Sequence, residues 1–222
     1  MAAISKFYFH AAANTLSGTL LNTGSTVSAT NPTAAGTKYV TANMGLSMNE
    51  EIGILQTSST FNTDASTASQ STVMARFYSR PIAAQTIGSQ TITVQIGQAE
   101  ANLNSNFQFT WSLAVWRPST GSLVGRIWDK VSLATEATAA GTQENVSLGT
   151  GGTSTSVTSQ DQDVLVLEIW RGNVAQGMAT AYSNTIYYDG TTEGSTTTNA
   201  AYLNFTTPIQ MHNNYGWGVA LN

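Results

Sequence analysis

Over much of the chain apolar and polar positions alternate singly, and the alternation stops only in runs rich in Ser, Thr, Asn and Gly. A period of two belongs to strands with one face in a core. The clearest case is 107–116, where Phe107, Phe109, Trp111, Leu113 and Val115 share one face and Gln108, Thr110, Ser112 and Ala114 share the other. This predicts a strand whose first face is buried and whose second meets water. The stretch 122–133 follows the turn 118–121 with Leu123, Ile127, Val131 and Leu133 inward, and Val124, Arg126, Trp128 and Lys130 opposite, so the pair predicts a hairpin. The same alternation places strands at 4–10, 38–44, 72–80, 91–96, 176–188 and 200–205, while 48–56 fits either a strand or a helical turn.

One run breaks the alternation in the other direction. From 161 to 171 the chain carries Asp163-Val164-Leu165-Val166-Leu167-Glu168-Ile169-Trp170, its longest apolar stretch, bounded by polar turn residues and Gly172. The run is short for a helix and rich in Val and Ile, so it predicts a central strand covered on both faces. The remaining strands are expected to pack around it.

Three polar excursions, 11–36, 57–71 and 134–158, offer little to bury and are expected as loops. Pro81 ends one strand, and Asp189-Gly190 marks a turn after another. Gly149-Thr150-Gly151-Gly152 has no Lys-Ser/Thr pair after it, so it is no phosphate loop. About eight to ten strands without a helix predict an all-β fold, an antiparallel β-sandwich of jelly-roll-like kind. The sandwich is expected to be one domain over 1–208, with 209–222 as an extension that docks on a neighbouring subunit.

Composition narrows the choice of partners. Hydrophobic residues make up 41% of the chain and charged residues only 9%, far below the roughly 25% usual for globular domains. A surface of Ser, Thr, Asn and Gln with so little charge offers weak repulsion between copies, so a homo-oligomer is expected, a trimer being one arrangement. The net charge is -4, and the eight Lys and Arg residues are scattered, which excludes nucleic acid as a partner. No cysteine is present, so disulfides and thiolate chemistry are absent. The first residues lack the basic and apolar regions of a signal peptide, and no window is apolar enough for a membrane span.

Candidate chemistry is sparse. The two histidines, His10 and His212, stand near opposite ends of the chain, and neither has a carboxylate at metal-ligand spacing. Asp161 and Asp163 fit a strand-entry turn better than a calcium site. Glu168 lies inside the apolar run and needs a cation such as Arg76 or Arg126 from a neighbouring strand. A glycosidase would need a second carboxylate across a cleft. No catalytic residue, metal site or cofactor is assigned, and the chain is expected not to be an enzyme. Trp116, Trp128, Tyr215 and Trp217 are the aromatics expected at the surface, as subunit contacts or as a platform for sugars.

Five segments carry a resemblance: Lys6-Phe7-Tyr8-Phe9, Arg76-Phe77-Tyr78-Ser79-Arg80-Pro81-Ile82, the run 163–170, Tyr187-Tyr188-Asp189-Gly190 and Ala201-Tyr202-Leu203-Asn204-Phe205. Together they resemble a group of tailed-bacteriophage structural proteins. The resemblance implies a β-sandwich virion component made in the host cytoplasm, an auxiliary protein decorating the outside of the head beside the major capsid protein or other virion proteins. A carbohydrate-binding or receptor-binding module of a tail fibre is the alternative it allows.

Overall fold

The computed structural model describes residues 2–13, 26–27, 37–40, 43–53, 55–62, 71–105, 109–132, 140–141, 143–150, 154–171, 181–191 and 200–213. They form an all-β fold of fourteen strands. In chain order these are β1 (Ala3–Ala13), β2 (Thr37–Tyr39), β3 (Leu46–Asn49), β4 (Gln56–Asn62), β5 (Ser71–Ser79), β6 (Gln85–Ile87) and β7 (Ile92–Glu100). After a short 3-10 turn at Leu103–Ser105 come β8 (Phe109–Arg117), β9 (Ser122–Ser132), β10 (Glu144–Thr150), β11 (Val157–Ser159), β12 (Val164–Arg171), β13 (Ser183–Asp189) and β14 (Tyr202–Gln210).

Twelve strands share one sheet, in the order β4-β13-β7-β14-β1-β3-β5-β12-β8-β9, with β10 on β7 and β2 on β5; β6 and β11 form a separate pair. The sheet is mixed, because β2 and β3 run parallel to β5. The architecture is sandwich-like, with apolar side chains from distant strands packed together. Phe9 of β1 stacks on Phe77 of β5 at 4.6 Å, Phe77 meets Tyr188 of β13 edge-on at 5.8 Å, and Phe7 meets Phe205 of β14 at 5.9 Å. Strands from both halves thus share one apolar cluster.

As its composition predicts, β12 is central. All eight of its residues are buried, and it pairs with β5 on one side and β8 on the other. Leu165, Leu167 and Ile169 face the main core, and each is worth about 1.5–3 kcal/mol of burial. Val164, Val166 and Trp170 point the other way and are covered too.

That second cover corrects the expectation for β8. Thr110, Ser112, Ala114 and Trp116 were expected to meet water, yet all are buried. The segment at Thr26–Val27, within the excursion 11–36, crosses this face, and Val27 joins Tyr78, Ala114, Trp116, Val164 and Val166 in a second apolar cluster. On β9 the expected faces are mixed. Three register irregularities against β8 let Val124 and Trp128 pack with Ile127 on the main core, while Leu123 joins the second cluster. A bulge inserts one residue and so flips the faces beyond it.

All three expected loops contain strand residues, and β1 runs on to Ala13 within 11–36. The run 57–71 supplies most of β4, which pairs with β13 in a regular antiparallel ladder, and 134–158 supplies β10 and part of β11. Strand β14 also runs through the boundary expected after 208. Thr206, Thr207 and Pro208 sit outside the ladder at an irregularity opposite Ser5, where proline's missing donor costs nothing, and pairing resumes with Ile209 on Ile4. Ile209 and Met211 are core residues, 1% and 0% exposed.

Candidate functional site

On the second face of the central strands a polar rung crosses three strands in register: Arg76 on β5, Glu168 on β12 and Ser112 on β8. Arg76 donates to Glu168 Oε1 from Nε and from its terminal nitrogen, both at 2.9 Å, and the two side chains are 0% exposed. The opposite carboxylate oxygen accepts the Val27 backbone N–H at 3.1 Å and the Ser112 hydroxyl at 3.3 Å, while Trp170 Nε1 donates to Ser112. Burial pushes the Glu168 carboxyl up, and Arg76, the Val27 N–H and Ser112 pull it back. Of the two arginines expected as partners, Arg76 is the one used; Arg126 donates instead to the Val27 carbonyl. With its oxygens turned inward and covered by Val27, Glu168 is a clamp that fastens the crossing segment to the sheet.

Tyr78 lies beside this rung, 1% exposed, and burial pushes its hydroxyl up to about 12 although Arg76 opposes the rise. The unfolded chain releases that proton near 10.0, so the folded state binds the proton more tightly. The stability tied to Tyr78 is therefore whole below pH 10 and is lost as pH rises through about 12. Urea unfolding across this window is expected to show a loss of about 2–3 kcal/mol that a Tyr78→Phe chain largely lacks.

Both histidines have an aspartate partner that sequence spacing does not show. His10 Nδ1 is 2.7 Å from Asp189 Oδ1, and His10 Nε2 is 3.0 Å from Asn49 Oδ1. Asp189 Oδ2 accepts the Ala11 N–H at 2.8 Å, and Asn49 Oδ1 also accepts the Glu51 N–H at 2.8 Å, which fixes the amide orientation. Asp189 takes a positive φ of 62° at the turn marked by Asp189-Gly190. The network ties β1, β3 and β13 together and floors a groove of about 410 Å³, bordered by Ser47, Glu51, Ile52, Gly53, Leu55 and Thr57. A Cβ at Gly53 would stand 2.8 Å from Asp189 Oδ1, so only glycine lets the backbone at 53 lie this close. Neither ring nitrogen faces the groove unpartnered, so His10 holds strands together and is not placed as a base.

The Asp161-Gln162-Asp163 motif is split between two partners. Asp163, 1% exposed, receives Arg117 through two bonds of 2.8 and 2.9 Å and accepts the Gln160 N–H, as a strand-entry turn requires. Asp161 turns outward to His212 Nδ1 at 2.7 Å. Among the described residues no three His, Cys, Asp or Glu side chains gather at a metal-binding distance.

The aromatics expected at the surface divide three ways. Trp116 is buried at 9% exposure in the second cluster, which also holds Val27 and takes the packing of Leu123, and this corrects that expectation. Trp128 is half-buried, its ring centroid 5.6 Å from that of Trp111. Tyr215 and Trp217 lie outside the described residues. The large apolar side chains that do stand exposed among the described residues are Ile52 and Leu55, both on the rim of the His10 groove. On the outer face of the sheet, Tyr8, Tyr187 and Tyr202 are half-buried; Tyr8 and Tyr202 meet edge-on at 6.4 Å, and Lys6 Nζ sits 4.7 Å over the Tyr202 ring. No protein-family model matches this chain, and no curated protein matches it.

Proposed function

We propose that this chain is a non-enzymatic structural protein of a tailed-phage virion, an auxiliary protein that binds the outside of the head beside the major capsid protein and associates with its own copies. The resemblance of five segments to such proteins motivates the assignment. The observation that carries its non-enzymatic part is the use made of the reactive side chains. Glu168 is sealed at 0% exposure, Asp163 is bound by Arg117, and His10 is held on both ring nitrogens. What the surface offers instead is contact: neutral strands, and the apolar rim at Ile52 and Leu55.

In this reading many weak contacts act together, each copy held by the shell and by its neighbours. The deciding experiment is quantitative mass spectrometry and antibody labelling of purified particles from the producing host. A chain present in many copies on the head supports the proposal, and its absence from particles overturns it.

A carbohydrate-binding or receptor-binding fibre module remains the second reading, now favoured by a different face. The half-buried Tyr8, Tyr187 and Tyr202, with Asn204 and Lys6 nearby in register, combine aromatic surface with amide and ammonium donors. A glycan array that binds the wild type and is silent for a Tyr187→Ala/Tyr202→Ala chain would move the assignment there.

A further inference from the structure

Strand β4 ends the large sheet. It pairs with β13 through all seven of its residues without an irregularity, and among the described residues no strand lies on its other side. Among the described residues its outward N–H and C=O groups therefore have no strand partner. Edges of this kind are ordinarily guarded by a charge, a proline or a bulge. Two other margins of the large sheet follow that rule. Strand β9 contains Arg126, Asp129 and Lys130, pairs irregularly with β8, and gives its Ile127 carbonyl to the Thr155 N–H. Strand β10 carries Glu144 and a register break between Ser147 and Thr150. Strand β4 reads Gln-Thr-Ser-Ser-Thr-Phe-Asn, with no charge and no proline. Directly before it stand Ile52 and Leu55, 40% and 74% exposed.

We propose that β4 is a self-pairing edge, at which two copies of this chain add strand to strand, antiparallel, about a twofold axis through Ser59. An isologous axis lets one open strand satisfy an identical one. In this register Ser58 of one copy faces Thr60 of the other, Thr57 faces position 61 and Gln56 faces position 62. Ser58 and Thr60 are exposed, whereas the Ser59 hydroxyl accepts Asn43 Nδ2 at 2.7 Å within its own subunit. No like charges meet across the axis, and Leu55 of each copy lies where the other chain leaves its strand. The pairing is short compared with a standard interface, so it depends on concentration. It deepens the self-association part of the function proposed above, though its argument stands on β4 alone.

The test is light scattering coupled to size exclusion over a wide range of concentration. The wild type is expected to rise from the 23.4 kDa of one chain toward twice that mass. Ser58→Lys/Thr60→Lys and Ser58→Glu/Thr60→Glu chains, altered only at exposed side chains, are each expected to stay at one chain's mass with an unchanged melting temperature. An equimolar mixture of the two is expected to recover the twofold mass, because position 58 faces position 60. A wild type that stays at one chain's mass overturns the inference, as does a lysine chain that associates like the wild type. The last outcome leaves the capsid reading intact, and absence of the chain from particles leaves the β4 pairing intact, so the two failures are distinguishable.

Discussion

Arg76→Met is expected to destabilise the fold by about 3–5 kcal/mol, among the largest effects available to one substitution here. The loss comes from what is left behind. Glu168 keeps its place at 0% exposure between β5 and β8, with Val27 over it and no cation beside it. Glu168→Gln should cost a similar amount for the mirrored reason, an arginine buried without its anion. The double Arg76→Met/Glu168→Gln chain removes both charges while keeping an acceptor for the Val27 N–H. It should therefore be more stable than either single variant, so the coupling in the cycle should be at least as large as one single loss, about 3–5 kcal/mol or more. Urea unfolding of the four chains measures this, and additive losses would remove the claim that the pair acts as a unit.

The pH dependence provides an independent check. In Arg76→Met the cation that lowers the Glu168 carboxyl is gone, while the burial that raises it remains. A carboxyl raised in the folded state contributes stability that is full below its unfolded value and is lost as pH rises through its folded value. This variant should accordingly gain stability on mild acidification, relative to the wild type.

Ending the chain at Pro208 is the second change with a large expected effect. It deletes Ile209 and Met211 from the core, the pairing of Ile4 with Ile209 and of Ala3 with Gln210, and the bridge from Met211 to Ile82. Each of the two buried side chains is worth about 2–5 kcal/mol when cut to alanine, so the truncated domain should be unfolded or close to it at room temperature. Ile209→Ala/Met211→Ala in the full-length chain separates lost packing from lost length. If the packing argument holds, most of the destabilisation appears in that variant; a fully folded 1–208 fragment would refute it.

The boundary after 208 illustrates how far local pattern carries. Strands β5, β8, β9 and β12 are legible because burial imposes a period on their side chains, or removes polar residues altogether. Strand β4 is not, because an edge strand can be held by backbone bonds alone, and its Ser-Thr run has nothing apolar to alternate. Proline at 208 is read as an end, whereas it occupies an irregularity that needs no donor.

The candidate site is less legible than the fold. Glu168 announces itself as a charge in an apolar run, and Arg76 on an adjacent strand is a predictable partner. The His10 network joins residues 179 positions apart, so no spacing rule connects it to Asp189. Its one local trace is Asp189-Gly190, a turn signal whose aspartate also serves as an acceptor. Trp116 is misplaced for a related reason. Nothing in the alternation of β8 shows that Val27 will cover its polar face.

The pairing of β1 with β14 also constrains how the domain comes into being. Strand β1 is made long before its partner, which emerges about two hundred residues later, and loop closure over such distances slows folding. Until then Phe7 lacks Phe205, and the aromatic face of β1 has only part of its cover. The nascent polypeptide must keep that sticky surface from its neighbours on the polysome. Completion is therefore expected only after β14 clears the ribosome exit tunnel, making this a late-folding domain whose maturation is open to chaperone capture.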